Sequence, residues 1–83
     1  MKKKLILNAL AQTLKEYRGD KSQFIFSSEN DFSISIISTI ERGLKDPQLT
    51  TVFKLAEACN VSIMEFLEKV VSKLPNDFYM IEK

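Results

Sequence analysis

Residues 32–43, which read FSISIISTIERG, decide the fold class of this 83-residue chain. Their first half alternates apolar and hydroxyl side chains, a pattern typical of a half-buried β-strand. Paired with residues 23–26, this strand would form a β-hairpin. The connection between the two runs lacks the Asn-Gly or Asp-Gly pair that favours tight hairpins. An isolated hairpin is also only marginally stable, so it would depend on the rest of the chain.

The same region also fits two short helices. Ser33 can cap a helix, and Gly43 suits the position just beyond its C-terminus. On that helix Ile37 and Ile40 lie three residues apart and would both point into a core. Ile, Ser and Thr are mediocre helix formers, and each costs a few tenths of a kcal/mol relative to alanine. Burial of one large apolar side chain stabilises by about 1.5–3 kcal/mol, so we favour the helices.

Three other segments show the apolar spacing of three and four that predicts helices: residues 5–17, 49–59 and 62–74. Asp46-Pro47 separates the ambiguous region from the second of them, because a residue before proline avoids the helical conformation. Asn60 suits a left-handed C-terminal position. Ser62 and Glu65 form a capping box at the start of the last helix.

The size of the chain and the lack of an internal linker predict one domain over residues 1–83. Its core covers about residues 5–68, and residues 69–83 complete the last helix and form a short tail. Met1 and Lys2–Lys4, followed by a brief apolar run, mimic a signal peptide, but the run is short and its periodicity continues beyond it. No stretch is long enough to span a membrane. We expect a cytoplasmic protein.

The composition narrows the function by what it lacks. The chain has no histidine and one cysteine, so a zinc site lacks ligands and Ser–His or Cys–His catalysis lacks a base. We therefore expect no metal, no cofactor and no enzymatic activity. The formal net charge of +1 neither indicates nor excludes binding to nucleic acid, because the distribution of charge matters more than its sum.

The segment ISTIERG at residues 37–43, followed by Pro47 and by LAEACNVS at residues 55–62, resembles the Cro/repressor-type helix-turn-helix family, also described as lambda-repressor-like. This resemblance implies an all-α domain of five helices, with the second and third forming the helix-turn-helix. The family usually has glycine where Asp31 stands and leucine where Cys59 stands. Arg18 lies nearer Gln23 than the helix-1 arginine of the family, which leaves its role open.

By this resemblance, the third helix lies in the major groove of double-stranded DNA. The outward positions implied to contact bases are Ile34, Ser35, Ser38 and Thr39. The positions implied to contact phosphates are Lys21, Ser22, Gln23, Ser33, Arg42 and Lys45. Ile34 and Ile36 could meet thymine methyl groups or only protein. The run Lys2–Lys4 could be a basic arm that reaches DNA, although we favour a disordered, solvated start.

The last predicted helix has more apolar positions than one small domain needs to cover. We predict that these residues form a homodimer interface, consisting of Phe66, Val70, Val71, Leu74 and Phe78. The alternative within one chain is that the tail folds back over them. The alternative function is an antitoxin, or another interaction module, whose apolar stripe binds a protein partner. A toxin and RNA polymerase are further candidate partners; we expect no membrane and no small-molecule ligand.

Overall fold

The computed structural model describes residues 2–81, and that part of the chain forms five α-helices without any strand. The helices are α1 Lys2–Arg18, α2 Gln23–Glu29, α3 Ile34–Glu41, α4 Leu49–Ala58 and α5 Ile63–Ser72. The all-α prediction is confirmed, and residues 22–43 contain two helices instead of a hairpin.

The long helix α1 organises the fold, because it packs against both α3 and α5. Helix α2 packs on α3, and α4 packs on α5. One apolar cluster joins these elements, and its fully buried large members are Leu14, Ile37, Ile40, Leu55 and Phe66. The ring of Tyr17 stacks on Phe66 with centroids 5.9 Å apart. Burial of Ile37 and Ile40 explains why a segment of poor helix formers is helical here.

Three helices begin with the same polar contact. The hydroxyl oxygens of Ser22, Ser33 and Ser62 each accept a hydrogen bond from the backbone amide three residues further on. Each of these bonds measures 3.1 Å. Each serine therefore satisfies one of the amides that a helix N-terminus leaves without a partner.

Left-handed residues end the helices that precede these caps. Asp31 has φ 58° and Asn60 has φ 65°, so Asp31 takes up the backbone conformation that glycine would adopt without strain. After α3, the amide of Gly43 donates to the carbonyl of Ile40, and the amide of Leu44 to that of Thr39. These two bonds form a Schellman motif.

The start of α1 corrects one prediction. Lys2–Lys4 are helical, not disordered, and α1 begins three residues earlier than the apolar spacing indicated. Lys4 Nζ donates to the carbonyl oxygen of Gly43 at 3.2 Å. Lys3 Nζ lies 3.6 Å from a carboxylate oxygen of Asp46. These lysines therefore contact the loop between α3 and α4.

The last helix corrects a second prediction. α5 ends at Ser72, two residues early, and Phe66 and Val70 are buried in the core of the single chain, with 0% and 7% exposure. Neither side chain is available to a second protomer. Leu74 is half-buried and packs against the same core, whereas Val71 is 61% exposed.

Cys59, at the end of α4, is half-buried, and burial raises the pKa of its thiol to about 11.

As far as residue 81, the tail does not cover the exposed side of α5 as the single-chain alternative required. Its apolar residues Tyr79, Met80 and Ile81 are exposed, and so is Val71. Between residues 2 and 81, no helix is long and apolar enough to cross a membrane.

Candidate nucleic-acid interface

Helices α2 and α3 are joined by the four residues 30–33, a length typical of a helix-turn-helix. Phe32 anchors this turn to the domain, because its side chain packs against the core cluster. Ser33 then caps α3 and directs the chain outward, so that Ile34 and Ser35 in the first turn of α3 are exposed. The N-terminal turn of α3 therefore faces solvent, as base reading in a groove requires.

The other end of α3 is held by a partly buried polar junction, formed by Arg18, Gln23 and Glu41. Arg18 Nε donates to Glu41 Oε2 at 2.7 Å, and Arg18 Nη2 donates to Glu41 Oε1 at 2.8 Å. Gln23 Nε2 donates to Glu41 Oε1 at 3.0 Å. Arg18 also donates to the carbonyl of Lys21. The junction thus joins the end of α1, the start of α2 and the end of α3.

The charges in this polar junction fix its geometry. Glu41 is 3% exposed, and a buried carboxylate is costly unless it is paired and hydrogen-bonded. The planar guanidinium of Arg18 supplies two parallel bonds to it. The hydrogen bonds to Glu41 raise the pKa of Arg18 above its already high ordinary value, so the guanidinium stays charged. Any rotation of α3 would strand a buried charge, which fixes the orientation of that helix.

The four residues predicted to contact bases do not share one environment. Ile34 and Ser35 are exposed, whereas Ser38 and Thr39 are half-buried. The Thr39 hydroxyl donates to the carbonyl of Ser35 within α3. Its hydrogen is therefore already used within α3, and the oxygen of this hydroxyl can still accept a hydrogen bond. Ile36, whose role the sequence left open, packs against the core, whereas Ile34 is 46% exposed.

The predicted phosphate contacts at the helix starts keep usable donors. In Ser22 and Ser33 the oxygen accepts the capping bond, so the hydroxyl hydrogen remains available for a phosphate oxygen. The Gln23 amide has two hydrogens, and only one of them is directed to Glu41. Gln23 therefore braces α3 and still has a hydrogen for the DNA backbone.

The predicted cationic contacts differ in their surroundings. Lys21 Nζ lies 2.6 Å from Glu29, an exposed ion pair of the kind that contributes little in water. Arg42 caps the end of α3 and is exposed, with Nε 3.4 Å from the carbonyl oxygen of Ser38. Lys45 is exposed in the loop that follows.

Sequence reasoning missed the pairing of Arg18 with Glu41. A signal for it was present, because Glu41 lies four residues after Ile37 on the buried side of α3. Likewise, Arg18 lies four residues after Leu14 on the buried side of α1. Charges of opposite sign in two core registers indicate a buried pair.

Two short helices joined by a tight turn, with the start of the second exposed, define a helix-turn-helix domain of the Cro/repressor type. Residues 31–66 match the helix-turn-helix family. The chain is also similar to the plasmid copy control protein CopR of Streptococcus agalactiae. The two are 35% identical over 69 residues, which cover 83% of this chain and 68% of that relative. No solved structure matches the chain.

The chain therefore belongs to the Cro/repressor-type helix-turn-helix family, and it is a DNA-binding transcriptional regulator, not an enzyme.

Proposed function

We propose that the protein acts as a homodimer that binds a palindromic operator, with α3 of each protomer in the major groove of one half-site. The observation that carries this proposal is the combination of an exposed start of α3 with an uncovered apolar side of α5. One eight-residue helix reads only a few base pairs. Two half-sites related by a two-fold axis multiply that specificity.

The proposed dimer surface is an apolar stripe on the side of α5 that faces away from the core, formed by Met64, Leu67 and Val71. These residues recur at intervals of three and four, and all three are exposed, Met64 at 75%. A stable interface buries about 800 Å² on each partner. A ten-residue helix is only about 15 Å long, so the stripe needs additional surface. The exposed tail residues Tyr79, Met80 and Ile81, with the half-buried Phe78 and Leu74 beside them, supply it.

In the operator complex, Ile34 contacts a thymine methyl group and Ser35 hydrogen-bonds a base edge. Hydroxyl groups discriminate less sharply than Arg–guanine or Gln–adenine pairs. Sequence-dependent DNA shape therefore supplies part of the specificity. The hydroxyls of Ser22 and Ser33, the Gln23 amide, and the side chains of Lys21, Arg42 and Lys45 bind phosphates. The phosphate contacts hold α3 in register.

The dimer is tested by sedimentation of the purified chain over a range of concentrations. Met64→Glu with Val71→Glu places charge in the stripe without touching the core, and we expect it to produce a monomer. Phe24→Glu, at an exposed apolar site on α2, is the matched control and should leave the dimer intact. A wild-type chain that stays monomeric at high concentration contradicts the proposal and favours a stripe that binds another protein.

The operator is tested by selecting bound duplexes from a random pool. We expect an inverted repeat whose half-sites lie about one helical turn, roughly 34 Å, apart. Repeating the selection with Ser35→Ala should relax preference at one symmetric pair of positions. Selected sites without inverted symmetry count against the homodimer, even if the chain binds DNA tightly.

The similarity to a copy control protein supports a more specific role, in which this regulator limits plasmid copy number. A plasmid that carries the gene for this chain, together with its flanking sequence, provides the test. Under this proposal, Met64→Glu with Val71→Glu raises the copy number of that plasmid, whereas Phe53→Glu, at an exposed apolar site on α4, does not. Equal copy numbers for the double variant and the wild type contradict this role.

A further inference from the structure

We propose that the first turn of α1 is a third DNA-backbone contact, through a basic patch made of Lys3, Lys4, Arg42 and Lys45. The inference rests on the proposed phosphate contacts at Arg42 and Lys45. It adds an element that the helix-turn-helix itself does not contain.

Contacts between α1 and the loop after α3 bring this basic patch together. The Lys4 ammonium lies 3.2 Å from the carbonyl oxygen of Gly43, which stands directly after Arg42. Lys45 follows Gly43 by two residues, a span of at most about 7 Å. Phosphates on one DNA strand recur about every 3.4 Å along the helix axis. A single stretch of DNA backbone bound at the loop would therefore lie within reach of the first turn of α1.

The approach of the loop to α1 depends on Gly43. Its φ is 69°, and a Cβ at this position would lie 2.8 Å from Asn8 Oδ1 and 3.6 Å from Lys4 Nζ. Any other side chain would strain this left-handed backbone and would require the Asn8 side chain to move. Glycine therefore suits the close approach of the loop to α1, on which the basic patch depends.

The distribution of charge supports the same conclusion. Four cations and Asp46 give this small region a formal charge of +3. The remaining eight basic and ten acidic residues leave the rest of the chain at −2. A chain with a formal net charge of only +1 therefore concentrates its positive charge beside the recognition helix.

Free protein gains little from this arrangement. Lysines in a first helical turn face the positive end of the helix dipole, and the first turn of α1 contains no acidic residue. Lys3 reaches Asp46 only at 3.6 Å, and both side chains are more than half exposed. Such a pair contributes little in water. DNA phosphates would relieve the repulsion that the free protein retains.

The test is the salt dependence of binding to a duplex, compared between variants. Each lost phosphate contact lowers the slope of log K against log salt by about 0.9. We expect Lys3→Gln with Lys4→Gln to lower it by about 1.8 per protomer and to weaken binding to all sequences alike. Lys15→Gln, at an exposed lysine further along α1, is the matched control and should change neither quantity.

Two further variants distinguish the loss of a DNA contact from misfolding of the protein. Lys4→Arg keeps the charge and should retain the wild-type slope, whereas Asp46→Asn removes the acid from the basic patch and should tighten binding several-fold. If the double lysine variant melts early, Lys3→Gln alone carries the test, because the contact of Lys3 with Asp46 is a weak surface pair.

The outcomes separate the two proposals. If Arg42→Gln lowers the slope and the lysine variants do not, the first turn of α1 is not a DNA contact and only this inference is overturned. If neither lowers it, the proposed phosphate contacts of the loop fail as well.

Discussion

Helices α3 and α5 begin alike and both pack into the apolar core, but α3 has a polar anchor in addition. Each is preceded by a left-handed residue, a half-buried apolar residue and a capping serine: Asp31-Phe32-Ser33 before α3 and Asn60-Val61-Ser62 before α5. Beyond the cap, α3 buries a carboxylate in a three-residue polar junction. In α5 the anchors are an aromatic ring and Val70 in the apolar core.

The difference matches what each helix is proposed to do. A bidentate ion pair has one good geometry, so the Arg18–Glu41 contact sets the rotation of α3 and hence the direction of its base-reading side chains. Apolar packing is far less directional. It leaves α5 stable while its outer stripe remains available to a second protomer.

The largest effect should follow removal of the α5 anchor. Phe66→Ala is expected to reduce the free energy of unfolding by about 3–5 kcal/mol, because it leaves a cavity beneath Tyr17. Val71→Ala, five residues along the same helix, should change it by less than about 0.5 kcal/mol at protein concentrations where the chain is a monomer. Urea denaturation at one fixed protein concentration measures both. Equal losses of stability in the two variants would contradict the description of α5 as having one side in the core and one side in solvent.

The next effect concerns the polar anchor of α3. Arg18→Ala leaves Glu41 buried with only Gln23 as a partner, and should cost about 3 kcal/mol. The double variant with Glu41→Ala should cost less than the sum of the singles, with a coupling of about 1–3 kcal/mol. Strict additivity in this double-mutant cycle would mean that the ion pair does not hold α3.

The next test compares the serines that cap α3 and α5, which make the same contact at the start of two helices with different proposed roles. Ser33→Ala and Ser62→Ala should each destabilise by about 1 kcal/mol, or roughly 4–8 °C in Tm for a domain of this size. DNA binding should fall further with Ser33→Ala, because only that serine starts the recognition helix and offers its hydroxyl hydrogen to a phosphate. The measurement is thermal unfolding alongside fluorescence anisotropy. A comparable loss of binding in Ser62→Ala would contradict it.

The smallest effect is expected in the two turns. Asp31→Gly should stabilise by up to about 0.5 kcal/mol, since glycine relieves the left-handed strain but gains entropy in the unfolded chain. Asn60→Gly should be close to neutral, because asparagine tolerates that conformation better. Asp31→Val, which cannot adopt it without strain, provides the opposite control. A loss of stability in Asp31→Gly would show that its side chain contributes more than the backbone geometry indicates.

Local signals were sufficient for much of the fold. Gly43, Asn60 and the serine caps act through backbone geometry within a few residues, and they marked the helix ends correctly. The pair Ile37 and Ile40 decided between helix and hairpin, because a three-residue interval suits only a helix. Each of these features can be identified in a short window of sequence.

The contacts that could not be predicted are those between segments far apart in the sequence, because they depend on which helices pack together. Arg18 and Glu41 are 23 residues apart, and Lys4 and Gly43 are 39 apart. Spacing within one helix cannot show such partners. Phe66 and Val70 were assigned to a dimer interface because an apolar stripe indicates burial without indicating which surface covers it. The roles of Ile34 and Ser35 depend on a bound duplex and remain predictions.

The core has a consequence for synthesis on the ribosome. The support for α3 comes from both ends of the chain, since the cluster that holds Ile37 includes Ala9 and Leu10 of α1 and Phe66 and Val70 of α5. The helix-turn-helix is complete in sequence by residue 41, yet its packing surface is not. A nascent chain therefore becomes competent to bind DNA only after α5 has emerged. Regulation by this protein therefore depends on the packing of α1 and α5 against the reading helix and not on that helix alone.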